Sequence, residues 1–464
     1  MGNNTYKTLL LTVLTIICLI FLHFLPPMKV GGTELRRIDI LADLTARKNT
    51  AGLLPPAQAH RAERVYRDSN GKKVNFKEHW KKGTEPVTDF AEGQAGGPDA
   101  FYEKLTRLAE GKKNGRPVRI AYYGDSYIEV DILVEHLREA LQKHYGGKGA
   151  GWLDAGNDLN RYRHTVTFDF NGMTEHMARK RNSYDITKAG PAERYYTANG
   201  KAKISMAPFM LPEFPRTMQW DVTQLYLRAD AGAKITMTLD NNVSRSFRLP
   251  PSKLPQKVET SSPTRHATIG VEGRNLLLYA VAQEGREGIV IDNFSMRGTA
   301  GQSLRKLPRP MLRRFATLRP YDLIVLQYGV NVVGEKTEAL HLKRYMEQMK
   351  QVVENFRAAY PKAGILIIGA PDRGSKSAPD GTMPQLKALV GYQEKLAAEC
   401  KVGFYNLFNA MGGAGTMKRI VETENMGSKD YIHINHKGGK YIAERMVKSF
   451  IEGQQNYARR RNYK

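Results

Sequence analysis

Short apolar runs that alternate with helical periodicity are the feature that most constrains the fold of this chain. Four runs rich in aliphatic and β-branched residues span 117–123, 288–294, 321–329 and 364–369. Helical patterns follow three of these runs, at 132–141, 338–357 and 384–399. Buried strands that alternate with helices form a parallel sheet with helices on both faces. The pattern therefore predicts an α/β fold.

The N-terminal segment 9–25 contains no Asp, Glu, Lys or Arg, and it is long enough to cross a hydrocarbon core of about 30 Å. A cleaved signal peptide is the alternative, but it needs a small-residue cleavage site where Pro26 and Pro27 stand. We expect residues 1–8 in the cytoplasm and a single-pass anchor over 9–26 in the inner membrane. The catalytic part would then lie in the periplasm or outside the cell.

The chain carries a formal net charge of +25, from 71 Lys and Arg against 46 Asp and Glu. Such a charge favours an anionic partner, such as nucleic acid, a membrane surface or an acidic envelope polymer. The basic residues are scattered and form no nucleic-acid-binding module, so we expect no nucleic acid partner. Cys18 and Cys400 are the only cysteines, which disfavours a disulfide framework and a cysteine-based zinc site.

Proline, glycine and mixed charges interrupt residues 27–96 and predict a linker or stalk. Order is expected from residue 97, where Asp99 can cap a helix. Between Gly151 and Gly288 the helical patterns disappear, and short β runs span 165–170, 224–227, 234–239 and 275–281. These runs predict an inserted β-sandwich of jelly-roll type. Residues 453–464 are expected to be a solvated basic tail.

A candidate nucleophile stands in Gly124-Asp125-Ser126, directly after the first strand and before the first helical pattern. Open α/β sheets place their sites at the carboxyl ends of strands, where backbone N–H groups can stabilise an oxyanion. The tripeptide alone is a weak signal, because it occurs by chance in roughly one chain of this length in ten. Its weight depends on the blocks that follow.

Near the C-terminus, Asp430 precedes His433 by three residues. A carboxylate at this spacing can hold the imidazole Nδ1–H and leave Nε2 free to take a proton from a serine. The alternative is that Asp430 caps the final helix and His433 is solvated. His436 is a competitor for the base, but it is six residues from Asp430.

Two further blocks end at the same edge of the predicted sheet. Asn331 follows the strand pattern 321–329 and could donate to an oxyanion, although it could also only cap a helix. Gly298 and Gly301 follow the strand pattern 288–294, and either backbone N–H could be a second donor, or both could only form a turn. Gly301, which precedes Gln302-Ser303, fits better.

These four blocks resemble those of the SGNH (GDSL-type) hydrolases, a family named for Ser, Gly, Asn and His. The resemblance covers roughly residues 97–450 and implies a three-layer α/β/α sheet. It implies that Ser126 is the nucleophile, and that Asp430 and His433 are the acid and base. The oxyanion hole would consist of the Ser126 and Gly301 N–H groups and the Asn331 side chain.

Asn435 and Gly438 also match the family's H-x-N-x-x-G pattern, whereas Val332 stands where many members have Asp. Within the family, the chain is most similar to bacterial peptidoglycan O-acetylesterases, which carry an inserted β-rich module. That similarity implies catalytic parts at 97–151 and 288–452 and a carbohydrate-binding-like module at 152–287.

Several side chains are candidates for contact with a sugar substrate. Asp125, Trp152 and Trp220 are predicted to bind substrate, and Tyr195 and Tyr196 could also stack on sugar. Core packing is the alternative for each aromatic residue.

The resemblance implies a serine esterase that removes O-acetyl groups from peptidoglycan or a similar envelope polysaccharide, without a cofactor or metal. An O-acetyltransferase with the same triad remains open, because water exclusion and pocket shape choose the acceptor. A catalytically silent glycan-binding protein and a lipase or thioesterase are further alternatives.

Overall fold

The computed structural model describes residues 6–15, 29–30, 33–34, 65–240 and 243–463. The chain divides into two compact units, Met1–Leu54 and Pro55–Lys464. In the first unit, the structure describes one helix over 6–15 and one antiparallel strand pair. Most of the predicted anchor, from residue 16 to residue 26, lies outside the described residues. Within the described ranges, no helix is long and apolar enough to span a membrane.

Nineteen strands are described, and we number them in chain order. They are β1 (Lys29–Val30), β2 (Thr33–Glu34), β3 (Tyr66–Arg67), β4 (Lys73–Val74), β5 (Val87–Asp89), β6 (Val118–Gly124), β7 (Gly151–Asp154), β8 (Thr167–Asn171), β9 (Thr174–Met177), β10 (Arg194–Ala207), β11 (Trp220–Ala229), β12 (Ala233–Leu239), β13 (Ser244–Leu249), β14 (Gln256–Thr264), β15 (Ala267–Glu284), β16 (Ile289–Ser295), β17 (Leu323–Gln327), β18 (Gly364–Ile368) and β19 (Gly403–Tyr405).

The described α-helices are numbered in the same way. They are α1 (6–15), α2 (Asp99–Ala109), α3 (Val134–Tyr145), α4 (Arg309–Leu318), α5 (Ala339–Ala359), α6 (Leu386–Cys400), α7 (Leu407–Met411), α8 (Thr416–Glu422) and α9 (His436–Arg460).

The catalytic sheet has the strand order β16-β6-β17-β18-β19-β5. The first five strands are parallel, as the sequence predicts, and the edge strand β5 is antiparallel to β19. Along β6, Ile120 and Tyr122 belong to one apolar cluster with α2, α3 and α9, while Ala121 and Tyr123 belong to another with α5 and α6. The predicted three-layer α/β/α architecture is confirmed.

Two predicted boundaries of this domain are wrong. The proposed linker 27–96 overlaps β5, and the Lys81 backbone N–H donates to Glu452 on α9 at 2.8 Å. At the other end, α9 runs to Arg460, whose buried guanidinium pairs with Glu78 at 3.7 Å and with Asp99. Asp99 is therefore an ion-pair partner at the start of α2, and the chain after residue 452 is part of the fold.

The β-rich module spans β7 to β15, and its nine strands form one connected sheet. The β-rich character is as predicted, but the strands do not divide into two separate sheets. The long strand β15 pairs with β12 in its first half and with β11 and β7 in its second half. A third apolar cluster fills this curved sheet, with Leu225 and Ile235 fully buried in it.

The module leaves and rejoins the catalytic domain at one place. The Ile289 N–H donates to the Gly146 carbonyl at 2.9 Å, and the Gly285 N–H donates to the Lys148 carbonyl at 3.1 Å. The chain segments that enter and leave the module therefore lie side by side.

Buried charges join the module to the catalytic sheet. The fully buried Arg319 donates to Asp292 on β16 at 2.5 and 2.8 Å and to Glu284 on β15 at 2.9 Å. Arg119 on β6 also donates to Glu284, at 2.9 and 2.5 Å. Burial by itself would raise the pKa of Glu284, but Arg319 and Arg119 outweigh it and lower that pKa to about 2. Glu284 is therefore ionised and fully paired at neutral pH.

The variant Arg319→Met is expected to lower the free energy of unfolding by about 3–5 kcal/mol, because Asp292 and Glu284 would lose a partner in a dry interior. Urea denaturation followed by circular dichroism measures this change. Arg313→Met is the matched control, because Arg313 lies exposed on the preceding helix α4 and should cost less than about 1 kcal/mol. Equal losses in the two variants would contradict a special role for the buried network.

Candidate active site

Ser126 lies just beyond the carboxyl end of β6, in the turn that leads to α3. The Asp125 and Ser126 carbonyls accept hydrogen bonds from the Ile128 and Glu129 N–H groups at 3.3 and 3.4 Å. A 3-10 turn over Glu129–Asp131 follows before α3 begins. Ser126 is buried at this strand-turn-helix junction, with 6% of the residue exposed.

Asp125 lies beneath the site and was predicted to bind substrate. Its side chain is buried, and it accepts hydrogen bonds from the Tyr127 backbone N–H at 3.1 Å and from Asn331 Nδ2 at 3.2 Å. Burial raises the pKa of Asp125 to about 7, although these two hydrogen bonds and the charge of His433 oppose the rise. These contacts give Asp125 the role of orienting Asn331.

Asn331 brings the serine block and the glycine block together. Its amide also donates to the Thr299 carbonyl at 3.0 Å, two residues before Gly301. Both N–H groups of the amide are thus engaged within the protein. An oxyanion would have to share or displace one of these hydrogen bonds to receive Asn331 as a donor.

Gly301 occupies a position that only glycine can fill without strain. Its φ is +82°, and a Cβ atom there would lie 2.6 Å from the Tyr328 ring. At Gly298, φ is +69°, and a Cβ atom would meet only the flexible Arg179 side chain, at 3.1 Å. The backbone of Gly301 is therefore the more tightly fixed of the two candidates.

Asp430 and His433 form the acid-base pair that their spacing predicts. Asp430 Oδ2 lies 2.7 Å from His433 Nδ1, and Oδ1 accepts the backbone N–H groups of Ile432 and His433 at 2.9 and 3.0 Å. Partial burial would raise the pKa of Asp430, but the hydrogen bonds from His433 and from the backbone outweigh it and lower that pKa. An ionised carboxylate only accepts hydrogen bonds, so Nδ1 carries the proton and Nε2 is free.

Neighbouring segments fix the loop that carries His433. The Gly374 N–H donates to the Tyr431 carbonyl at 2.8 Å, and the Ser428 N–H donates to the His433 carbonyl at 2.7 Å. Asn435 caps α9 by accepting the Gly438 N–H at 3.1 Å. A Cβ atom on Gly439 would lie 1.9 Å from the Ile132 carbonyl, so a glycine there lets α9 begin against the turn after Ser126.

The competing histidine does not share this carboxylate. His436 Nδ1 lies 2.5 Å from Glu135 Oε1, which leaves Asp430 to His433. Within the described residues, no hydrogen bond of 3.5 Å or less joins Ser126 to His433. In the absence of substrate, catalytic hydrogen bonds are often long, and they tighten when substrate binds.

The prediction that Trp152 and Trp220 stack on sugar is wrong, and the alternative of core packing holds. Trp152 and Trp220 are buried, and so are Tyr195 and Tyr196. Trp152 packs against Phe294 with ring centroids 5.4 Å apart, and the Trp220 Nε1 donates to Thr223 at 2.8 Å. These rings fill the interior of the module and its contact with the catalytic sheet.

Sequence reasoning missed Arg373, which supports the Asn331 loop. Its Nη1 donates to the Val330 carbonyl at 2.5 Å, next to the candidate oxyanion donor. Arg373 follows the strand β18 by five residues, at the same edge of the sheet as the other blocks. The position of a charged residue after a predicted strand was the signal that could have found it.

The family model of the GDSL-like Lipase/Acylhydrolase family matches residues 269–440. The matched segment contains Gly301, Asn331, Asp430 and His433, whereas Ser126 precedes the inserted module. No curated protein sequence matches the chain. Residues 269–440 are therefore similar to the GDSL-like acylhydrolases.

A solved structure of a peptidoglycan O-acetylesterase is similar, with a TM-score of 0.64 and 22% identity, covering 80% of this chain and 99% of that one. The catalytic parts alone cannot make up that share, so the shared fold includes the inserted module. A lipase/acylhydrolase from Enterococcus faecalis is also matched, with a TM-score of 0.27, 17% identity and coverage of 36% and 77% of the two chains. A family two carbohydrate esterase from Cellvibrio japonicus has a TM-score of 0.25, 9% identity and coverage of 62% and 99%.

The variant Asp430→Asn is expected to lower the esterase rate by about 10²- to 10⁴-fold. Its amide oxygen can still accept the backbone N–H groups, but its NH₂ group would face His433 Nδ1 and favour the wrong tautomer. Initial rates on p-nitrophenyl acetate measure the loss, with Asp169→Asn on the exposed face of β8 as the control. An unchanged rate in Asp430→Asn would contradict the assigned pair.

Proposed function

We propose that this protein is a serine esterase that removes O-acetyl groups from a cell-envelope glycan, such as peptidoglycan. The observation that carries the proposal is the 2.7 Å contact between Asp430 and His433 on a loop that packs against the Ser126 turn. This pair is the acid-base half of a triad, and Ser126 stands at the strand end where the family carries its nucleophile.

In the first half of the reaction, Ser126 Oγ attacks the acetyl carbonyl carbon and its proton passes to His433 Nε2. The tetrahedral intermediate breaks the bond to the glycan oxygen, and His433 returns the proton to that oxygen. In the second half, His433 activates water, which attacks the acetyl-enzyme and releases acetate. Asp430 stabilises the imidazolium that forms in each half.

The oxyanion of each intermediate would be stabilised by the N–H groups of Ser126 and Gly301 and by the amide of Asn331. Loss of one such donor typically costs about 10²–10³ in rate. Asp125 and Thr299 hold the Asn331 amide at the site, and the oxyanion would share or displace one of these two hydrogen bonds. These steps use only side chains and backbone groups of the chain itself.

The shape of the fold supports a glycan as the substrate. The similarity to the peptidoglycan O-acetylesterase extends over 99% of that chain, which includes a module like the inserted one. The net charge of +25 favours an anionic polymer as the partner, and many envelope glycans are anionic. We also infer that the segment 9–26 anchors the protein in the inner membrane, which would place the site next to the envelope.

Hydrolysis is favoured over acetyl transfer by the exposure of the pair. The side chains of His433 and Asp430 are 40% and 45% exposed, so water reaches the acid-base groups readily. An acyltransferase has to exclude water from its acyl-enzyme. A silent glycan-binding protein is disfavoured, because its predicted stacking aromatics are buried.

The decisive variant is Ser126→Ala in the purified full-length protein. Acetate release from O-acetylated peptidoglycan and from p-nitrophenyl acetate should fall by about 10⁴-fold or more, because the nucleophile is lost. Ser261→Ala is the matched control, since Ser261 is exposed on β14, and it should keep the full rate. Circular dichroism checks that the variants fold.

Equal rates in Ser126→Ala and in the native protein would overturn the proposed nucleophile. If the native protein released no acetate in water but transferred the acetyl group of p-nitrophenyl acetate to an added glycan, the protein would be an O-acetyltransferase and not an esterase. If the native protein released acetate from p-nitrophenyl acetate but not from O-acetylated peptidoglycan, the serine esterase mechanism would stand and the proposed substrate would be wrong.

A further inference from the structure

Three potential metal ligands from distant parts of the sequence meet beside the His433 loop. Glu135 lies on α3, His164 lies in the segment between β7 and β8, and His436 is the first residue of α9. Glu135 Oε1 is 2.5 Å from His436 Nδ1 and 3.5 Å from His164 Nδ1. The three ligand atoms lie within 4.8 Å of one another.

The carboxylate at the centre of this cluster is incompletely satisfied. The Glu135 side chain is fully buried, and its Oε2 has no hydrogen-bond partner among the described residues. A buried polar atom without a partner is costly and rare in native proteins, and it often marks the binding site of a water molecule or an ion. This free oxygen is an observation independent of the histidine positions.

Nearby arginines do not neutralise Glu135, because they are committed to another carboxylate. Arg138 donates to Asp131 at 2.8 Å, and Arg163 donates to the same residue at 2.5 Å. The site thus lacks a permanent positive charge that would match a buried carboxylate.

The two histidine rings lie against each other. The His164 and His436 imidazoles stack with centroids 3.6 Å apart, a geometry in which two positive charges would repel each other. Neutral imidazole is the form that binds a metal ion. The side chains of His164 and His436 are 39% and 31% exposed, so a metal ion can reach them from solvent.

We propose that Glu135, His164 and His436 bind a zinc ion. Zinc bonds of about 2.0–2.1 Å to two imidazole nitrogens and one carboxylate oxygen, with water in the fourth position, give a tetrahedral site. Such a ligand set disfavours Mg²⁺ and Ca²⁺, which prefer oxygen ligands. The 3.5 Å separation of Glu135 and His164 suits two ligands of one zinc ion, whereas the stacked His164 and His436 rings would have to turn so that both nitrogens face the ion. The proton between Glu135 and His436 would be released on binding.

The ion would have a structural role. His164 comes from the inserted module, whereas Glu135 and His436 come from the two catalytic parts. His436 follows His433 by three residues, so the bound ion would fix the start of α9 and the loop that carries the base. The esterase steps do not pass through the metal.

The test uses full-length protein purified without a polyhistidine tag and stripped with a chelator. Zinc titration by calorimetry should show one ion per chain, and Co²⁺ should give visible absorption bands typical of a tetrahedral site. His164→Asn and Glu135→Gln should each weaken zinc binding by at least about 10²-fold, because they remove a ligand. The control His341→Asn, which changes an exposed histidine on α5, should bind as the native protein does.

Circular dichroism of the stripped variants shows whether they fold, and zinc should raise the unfolding temperature of the native protein but not of the folded variants. Ser126→Ala should bind zinc normally, which separates this proposal from that of the esterase. Failure of the native protein to bind zinc, or equal binding by native protein and ligand variants, would overturn the proposal. The cluster would then be a hydrogen-bonded pair of Glu135 and His436 with His164 stacked beside it.

Discussion

The position of Arg319 between Asp292 and Glu284 is the interaction on which the joining of the two domains depends. Asp292 lies on the catalytic strand β16 and Glu284 on the module strand β15, so one buried guanidinium holds both sheets. Asp292 also accepts the Trp152 N–H at 2.9 Å, which ties β7 to the same point. A second buried ion cluster around Asp131 binds Arg163 of the module and Arg138 of α3. The module and the catalytic domain therefore share a charged interior, not only an apolar one.

The candidate active site depends on the parallel order of the catalytic sheet. Because β16, β6, β17 and β18 all end at one edge, the segments after them place Thr299, Asp125, Asn331 and Arg373 near one another. The base comes from elsewhere, on a loop after the last strand, and its position relies on Asn435 and on the close approach of Gly439 to Ile132. The candidate nucleophile and the candidate base are thus positioned in two different ways, by strand register and by helix packing.

The strands of the catalytic sheet and the Asp430–His433 pair could be predicted from the sequence, because each depends on local periodicity or on three-residue spacing. The burial of Trp152 and Trp220 could not, because it depends on how a curved sheet closes around them. The ion pairs of Arg460 could not be predicted either, since Asp99 is far away along the chain. For the same reason, no local pattern indicated that Glu135, His164 and His436 would meet.

The adjacency of Gly146 and Ile289 has a consequence for the history of the chain. A domain whose two ends lie together can be acquired or lost in a single event, because a short connection suffices to restore the host. The charged network has the opposite effect, since loss of the module would take Glu284 away from the buried Arg119 and Arg319, and Arg163 away from Asp131. Such a module is easy to gain by recombination and hard to discard afterwards, as an insertion that has become indispensable to its host.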